Sequence, residues 1–497
     1  MVLETKKGDQ QKRTRNLLIS ISLGIFCAIL SILTATLDPL LLFVRSKLRL
    51  VNEGLIHEIL RTEYKGLYIE FYVFNVTNGD RFLSGEDQKL QLQEVGPFVY
   101  QEYRTNEDIE ILPNENVMRY TPNIRAEFIP EASIGDPKNI TLNLPNFAFL
   151  SITATLSTYP FIVRKLYQLI AAQQNAKPII KQDVYSFLWD YKDPLVTIVN
   201  KVVPGLFYYE NIAIADRLYD PQMVYRLELG ATEEDKFQVK WVNKTLRNKM
   251  AGNKPRDASY NNTYEGMGYP PQLPPDAPRH FYRHGICKTF ELQYIGNTML
   301  CLNTEGQAFN YSRRTFENKK LCDVKGYCPY GLLDLSDCFM GIPVALSRGH
   351  FTDADPALFN RIDGLQPDPV KHENYFLIEP KVGLLISGKT SLQANLVMGN
   401  LKYSPRVHMF TDMVIPLVSA RAITPPLPDI IQTKLDLFFL KGYKVMLVIE
   451  IALGLAGILL FGRASLLLYS KYTYRGEIVL FQQVPNPNNT EDIFNKN

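Results

Sequence analysis

Two apolar stretches near the ends of the chain decide what it can fold into. Residues 16 to 37, NLLISISLGIFCAILSILTATL, run 22 residues without a charge. As a helix rising ~1.5 Å per residue, that length crosses a hydrocarbon core of ~30 Å. Residues 443 to 462, YKVMLVIEIALGLAGILLFG, make a second, mostly apolar run of similar length. A cleaved signal peptide is the rival reading of the first, but the run is too long for an ordinary apolar signal core and lacks a clear A-x-A site. Lys6, Lys7, Lys12, Arg13 and Arg15 precede the first run, and Arg463, Lys471 and Arg475 follow the second. The positive-inside rule then places both termini in the cytosol. The expected plan is a cytosolic N-terminus (1–15), a membrane helix (16–37), an extracellular or lumenal domain (38–442), a second membrane helix (443–462) and a cytosolic tail (463–497).

Ser20, Gly24 and Ala28 recur every fourth residue in the first span, and Ala452 and Ala456 do so in the second. Such faces let helices approach closely, within one chain or in a homo-oligomer. Glu450 sits within the second span, where snorkelling or a helix contact is the plain explanation of a carboxylate. Cys27 reads as a small hydrophobe.

Between the spans the chain looks oxidised and glycosylated. Cys322, Cys328 and Cys338 crowd the stretch CDVKGYCPYGLLDLSDCFMGIP, with Cys287 upstream. Four such cysteines allow three pairings, which the spacing leaves open. Sequons stand at Asn75, Asn139, Asn243, Asn261 and Asn310. A sixth, at Asn488, lies in the cytosolic tail and should stay unmodified. A net charge of +3 gives no case for a nucleic-acid partner.

Residues 38 to 65 carry mixed charges at helical spacing and read as a helix leaving the membrane. Period-2 patterns then begin. Leu67, Ile69, Phe71 and Val73 share one face; Tyr68, Glu70, Tyr72 and Phe74 share the other. Phe237, Val239 and Trp241 alternate with Lys236, Gln238 and Lys240. Strand-like runs recur near 97–104, 124–130, 222–229, 289–296, 342–347, 374–379, 383–388 and 391–399, which suggests a β-barrel or sandwich. Residues 151 to 192 differ. Ile162, Leu166, Leu169 and Ile170 hold helical spacing, with Lys165 and Gln168 opposite. Val184, Phe187, Leu188 and Tyr191 repeat the pattern, giving a helical cap on a β-rich body. Residues 251 to 280, with GYPPQLPPDAP, read as a long loop.

Motifs for chemistry are weak. GLLISGKT (383–390) matches the spacing of a phosphate-binding loop. Its middle residues read as a strand, however, and SLQANLVM after it alternates like another, which predicts a hairpin turning at SGKT. His280 and His284 are four apart with Cys287 behind, but Phe281 stands where a metalloprotease would need its glutamate, so no metal site is expected. No nucleophile, base and orienting group assemble, so no catalytic residue and no cofactor is expected.

FYVFNVTN (71–78), EVGPFVY (94–100), FLWDYKDPL (187–195), PGLFY (204–208), the cysteine run, GHF (349–351), IDGLQPD (362–368) and YFLIEP (375–380) occur in one order along the chain. In this the whole chain resembles the class B scavenger receptors, the family of fatty-acid translocase, lysosomal integral membrane proteins and sensory neuron membrane proteins. The resemblance implies an α+β membrane protein with an irregular antiparallel β-barrel core, an apical helical bundle centred on 151–192 and an apolar tunnel, anchored by two transmembrane helices. It implies a receptor at the plasma membrane or in the endosome and lysosome that binds fatty acids, sterols, carotenoids or lipoprotein lipids and passes lipid to the membrane. The alternative is a protein cargo or apoptotic cell bound through the apical helices. Lys165 and Lys177 are the ligand-binding residues it suggests. It selects the pairs Cys287–Cys338 and Cys322–Cys328. The chain departs from the family in lacking cysteines for a third bridge, near Asn248 and beside Cys322, and in carrying an extra Cys301. The tail shows no clear acidic-dileucine or tyrosine sorting signal.

Overall fold

A computed structural model describes residues 2–202, 210–219, 221, 223–246, 260–283, 285–286, 288–299, 305–317, 329–339, 341–425, 433, 437 and 441–482. The chain forms two compact units, Met1–Ser46 with Gln432–Asn497, and Lys47–Ile431. It opens with helices α1 (Val2–Leu37) and α2 (Pro39–Lys47). The stretch expected as one helix leaving the membrane breaks before α3 (Leu55–Arg61), because Leu50–Gly54 leaves the helical path.

The Lys47–Ile431 unit is a β-sheet with helices inserted between its strands. Its first part runs β1 (Tyr64–Val76), α4 (Gly79–Ser84), β2 (Leu90–Leu112), β3 (Val117–Phe128) and β4 (Thr141–Pro145). Helices α5 (Phe147–Leu156) and α6 (Phe161–Gln173) follow, then β5 (Ile179–Asp183), α7 (Val184–Trp189), α8 (Pro194–Val202) and α9 (Ile214–Tyr219). Next come β6 (Met223–Gly230), β7 (Val239–Leu246), β8 (Thr263–Tyr264), β9 (Arg279–Arg283), β10 (Lys288–Met299) and β11 (Glu305–Tyr311). The last strands are β12 (Leu333–Asp334), β13 (Val344–Arg348), β14 (Ile362–Asp363), β15 (Tyr375–Glu379), β16 (Leu384–Val397) and β17 (Val414–Ile423).

The main order is β7-β6-β3-β2-β1-β17-β16-β15-β11-β10-β9-β8. Pairing is antiparallel except for β8 with β9 and β14 with β2. Gln238, just before β7, bridges to Tyr264 in β8, so the two ends of the order meet and the sheet is nearly closed. A closed sheet has no open edge to template unwanted pairing.

The phosphate-loop match lies inside this sheet. Residues 384–397 form the single strand β16, not a hairpin turning at SGKT. The turn falls earlier, where Gly383 takes φ +75° and a Cβ would stand 2.0 Å from the Tyr269 carbonyl oxygen. Gly388 pairs with Phe376, and Lys389 meets Glu373 at 3.2 Å. No helix follows to present N–H groups to an anion.

The two faces of β16 differ from the usual apolar-in, polar-out rule. Ser391, Gln393 and Asn395 are as buried as the core. Residues 349–374 cover them: Gln393 Oε1 accepts the His350 N–H at 2.9 Å, and Asn374 Oδ1 accepts the Ser391 N–H at 2.8 Å. Asn395 Nδ2 donates to Ser347 Oγ at 3.0 Å. Polar groups are tolerated there because they are satisfied.

The helical insertion also departs from its pattern. On α6, Ile162 is 78% exposed and Leu169 68%, while Tyr167 and Ala171 are buried. Of the apolar stripe read from the sequence, Ile162, Leu166 and Leu169 therefore face outward, and Ile170 alone packs against the core. Tyr167 wins the inner face because its hydroxyl reaches the Phe149 carbonyl oxygen on α5 at 3.2 Å. Lys236, which alternates with the apolar Phe237 and Val239, is buried as they are and donates to the Leu48 carbonyl.

The last described helix is α10 (Tyr443–Gln482), which packs on α1 in the terminal unit. Residues 11–37 and 443–473 are each long and apolar enough to cross a membrane. Leu17, Ser20, Gly24 and Cys27 are the buried face of α1. A Cβ on Gly24 would meet the Leu460 side chain at 3.4 Å. On α10 the small residues that turn inward are Gly457 and Ala464; Ala452 is exposed. Ser31 Oγ donates to the Glu450 carbonyl oxygen at 3.5 Å, so position 450 lies on the helix contact.

Candidate functional site

The near-closed sheet encloses a cavity of about 380 Å³. Three neighbouring strands explain why space remains. Across β1, β17 and β16 the rows read Ile69–Ala422–Thr390, Phe71–Ala420–Leu392 and Val73–Val418–Ala394. Two alanines of the central strand stand between larger neighbours and leave the wall recessed. Phe281, Phe290 and Phe376 line it from β9, β10 and β15. A concave, chiefly apolar space of this size suits a small apolar ligand.

One corner is charged. Glu102 and Arg104 alternate on β2 and so share a face. Glu102 Oε2 accepts the Leu67 N–H at 3.1 Å. Its Oε1 accepts from the Tyr219 hydroxyl at 2.9 Å and from Arg283. The register shift between Lys65 and Tyr68 frees that N–H from the ladder. Gly66 makes the approach possible, since a Cβ there would lie 2.9 Å from Glu102 Cβ. Arg104 Nη1 pairs with Glu265 Oε1 at 2.7 Å, Nη2 reaches the Tyr120 hydroxyl at 3.2 Å, and Nε reaches Asn106 Oδ1 at 3.1 Å. The four charges cancel. Burial would pull the Arg283 guanidinium down, but Glu102 beside it more than offsets this and holds its pKa above the usual value. Burial raises the Tyr219 hydroxyl well above its ordinary range, and Glu102 adds to the effect.

The residues named from sequence fall elsewhere. Lys165 is exposed on α6, its Nζ 5.6 Å from the Phe161 ring centre, and Lys177 is exposed between α6 and β5. Neither lines the cavity. Asn139 and Asn261 are exposed; Asn75, Asn243 and Asn310 are half-buried. Cys338 is disulfide-bonded, with Sγ 3.0 Å from the Ile286 carbonyl oxygen. Cys287, Cys301, Cys322, Cys328, His284 and Asn488 lie outside the described residues. His280 sits in β9 opposite Glu291. Among the described residues no three His, Cys, Asp or Glu side chains gather as a metal site.

The charged corner escaped the sequence reading. Glu102 and Arg104 alternate as an exposed strand face would, and Glu265 lies in what reads as a loop. The signal available was the isolated Gly66 next to a strand, which marks a close approach.

A mixed α/β body with a nearly closed sheet, in a chain bearing two membrane-length helices, has the plan of a two-pass membrane protein. The family model described as the CD36 family matches residues 20–468, and the chain belongs to that family. It is similar to lysosome membrane protein 2 of Mus musculus, 26% identical over 71% of this chain and 73% of the relative. It is also similar to scavenger receptor class B member 1 of Rattus norvegicus, at 25% over 80% of this chain and 78% of the relative. The same receptor of Cricetulus griseus is 24% identical over 88% and 86%.

Proposed function

We propose that the protein takes lipid from a particle or membrane, holds the chain in its cavity and passes it to the bilayer. The observation that carries this is the recessed apolar wall around Ala420 and Ala422. Each methylene moved from water into such a wall gains ~0.8 kcal/mol, so shielding the chain in transit is worthwhile. The exposed Phe161, Ile162 and Leu169 on α6, with Lys165 among them, suit first contact with a lipid surface. The similar proteins in rat and mouse support residence at the plasma membrane or the lysosome. The pairing Cys287–Cys338 fits this exterior placement, since Cys338 Sγ lies beside the residue preceding Cys287. The family resemblance pairs Cys322 with Cys328, and an exterior placement lets the exposed Asn139 and Asn261 carry glycans.

Ala420→Trp fills the middle of the wall. Native mass spectrometry of the full-length protein in nanodiscs should then show at least about a tenfold fall in bound lipid, with transfer between liposomes lost alongside it. Unchanged occupancy would sink the reading. A protein or apoptotic-cell ligand is the second reading, favoured by the same exposed α6 stripe. It predicts that Ile162→Asp with Leu169→Asp abolishes capture while Ala420→Trp does not.

A further inference from the structure

Of the four charged residues in the corner, Glu265 alone has a buried side-chain atom without a hydrogen-bond partner. Its side chain is 3% exposed and lines the cavity, and Oε1 is held by Arg104. Oε2 is buried with no hydrogen-bond partner. Arg104 donates to Glu265 Oε1, Tyr120 and Asn106; the Tyr64 and Tyr120 hydroxyls lie near enough to feel the Glu265 charge but make no hydrogen bond to Oε2; and Glu102 is itself an acceptor. An unmatched oxygen on a buried carboxylate is costly, and such a group in a cavity points to a donor brought by a ligand. The terminal carboxylate torsion is soft, so Oε2 can turn toward a headgroup while Oε1 keeps Arg104.

We infer that Glu265 is a headgroup acceptor and that the cavity selects uncharged lipids bearing a hydroxyl, such as a sterol or a long-chain alcohol, over fatty-acid anions. The electrostatics favour this. Glu102 and Glu265 are balanced by Arg104 and Arg283, so the buried corner leaves no cation over for an incoming carboxylate; Lys65, the further cation among the lining residues, is exposed and stays hydrated. A ligand carboxylate would set acceptor against acceptor at Oε2. A hydroxyl donates to it and brings no charge into the apolar space.

The inference rests on the cavity holding a lipid chain at all, and the test separates the two. Full-length protein in nanodiscs is equilibrated with hexadecanol, hexadecyl methyl ether or palmitate, and bound lipid is counted. The chains match; only the alcohol donates. Hexadecanol should bind about tenfold or more tightly than the ether or palmitate, as expected for one hydrogen bond to a charged acceptor. Glu265→Gln keeps the shape and an oxygen for Arg104 but turns an N–H outward. It should raise palmitate binding by about tenfold and narrow the order. Equal binding of alcohol and ether by the unaltered protein overturns the assignment, whether or not the variant folds. So does a folded Glu265→Gln that keeps the original order. If none of the three binds, the cavity reading itself fails.

Discussion

Replacing Glu102 by alanine is expected to destabilise the Lys47–Ile431 unit by about 3–5 kcal/mol, the cost of leaving a buried charge without its partner. Three donors converge on this carboxylate: the Leu67 N–H, the Tyr219 hydroxyl and the Arg283 guanidinium. Its side chain is 3% exposed and that of Arg283 is 18%, so water cannot replace what is lost. The damage spreads along the chain, because the Leu67 N–H left the β1–β2 ladder to reach it. Urea unfolding of the detergent-solubilised protein, followed by tryptophan fluorescence, measures the loss. Trp189 stacks on Tyr219 at 5.4 Å and reports on this corner. A second construction separates charge from packing. Glu102→Leu combined with Arg283→Met removes both charges, and an apolar pair of similar size should recover most of the stability. If the double variant is no better than Glu102→Ala, the loss lies in the Leu67 N–H and the Tyr219 hydroxyl left without their acceptor and not in the buried cation.

The sheet was legible where side chains alternate cleanly, as in Leu67, Ile69 and Phe71. The span helices were legible from length. Three features were not. The polar residues of β16 alternate as a solvent face would, yet Gln393 and Asn395 are fully buried, because residues 349–374 return over them. Local alternation carries no information about a covering segment that arrives from elsewhere. On α6 periodicity alone marks the wider apolar stripe, Ile162, Leu166 and Leu169, as the inner face. Tyr167 and Ala171 took that place through contacts with α5, which tertiary packing decides and periodicity cannot. The charged corner draws Glu102 and Arg104 from β2, Glu265 from the chain after β8 and Arg283 from β9. No spacing links segments so far apart. The resemblance supplied family and topology, but its suggested lysines fall outside the cavity, and the wall residues came only from register.

Acid should weaken the fold in two steps through a buried histidine pair. His350 and His372 stack with ring centres 4.4 Å apart, both almost fully buried. The Gln366 N–H donates to His350 Nδ1 at 3.0 Å, and the Asp368 N–H donates to His372 Nδ1 at 3.2 Å. Each ring therefore carries its proton on Nε2. That of His350 faces Glu94 Oε1 at 2.7 Å, while that of His372 has no partner. Protonating His372 on Nδ1 must break the hydrogen bond from Asp368 and put a charge against the second ring. Burial first, then His350 and Lys371, pull its pKa down to about 4, with Arg421 adding slightly and Glu94 opposing. The unfolded chain takes up this proton near 6.5, so between 6.5 and 4 it binds more protons than the folded protein. Stability then falls as pH drops through that window, by up to about 3 kcal/mol at its lower end. Burial alone would raise Glu94, but hydrogen bonds from His350 and Lys371 outweigh it and hold Glu94 down to about 2. Its contribution is intact above 4.5 and is lost on going toward 2, so the second step begins where the first ends. Melting temperatures of the full-length protein across this range give the profile. His372→Asn, which keeps an acceptor for the Asp368 N–H, should flatten the upper step and leave the lower one. An unchanged upper step in that variant would move the acid sensitivity to other groups.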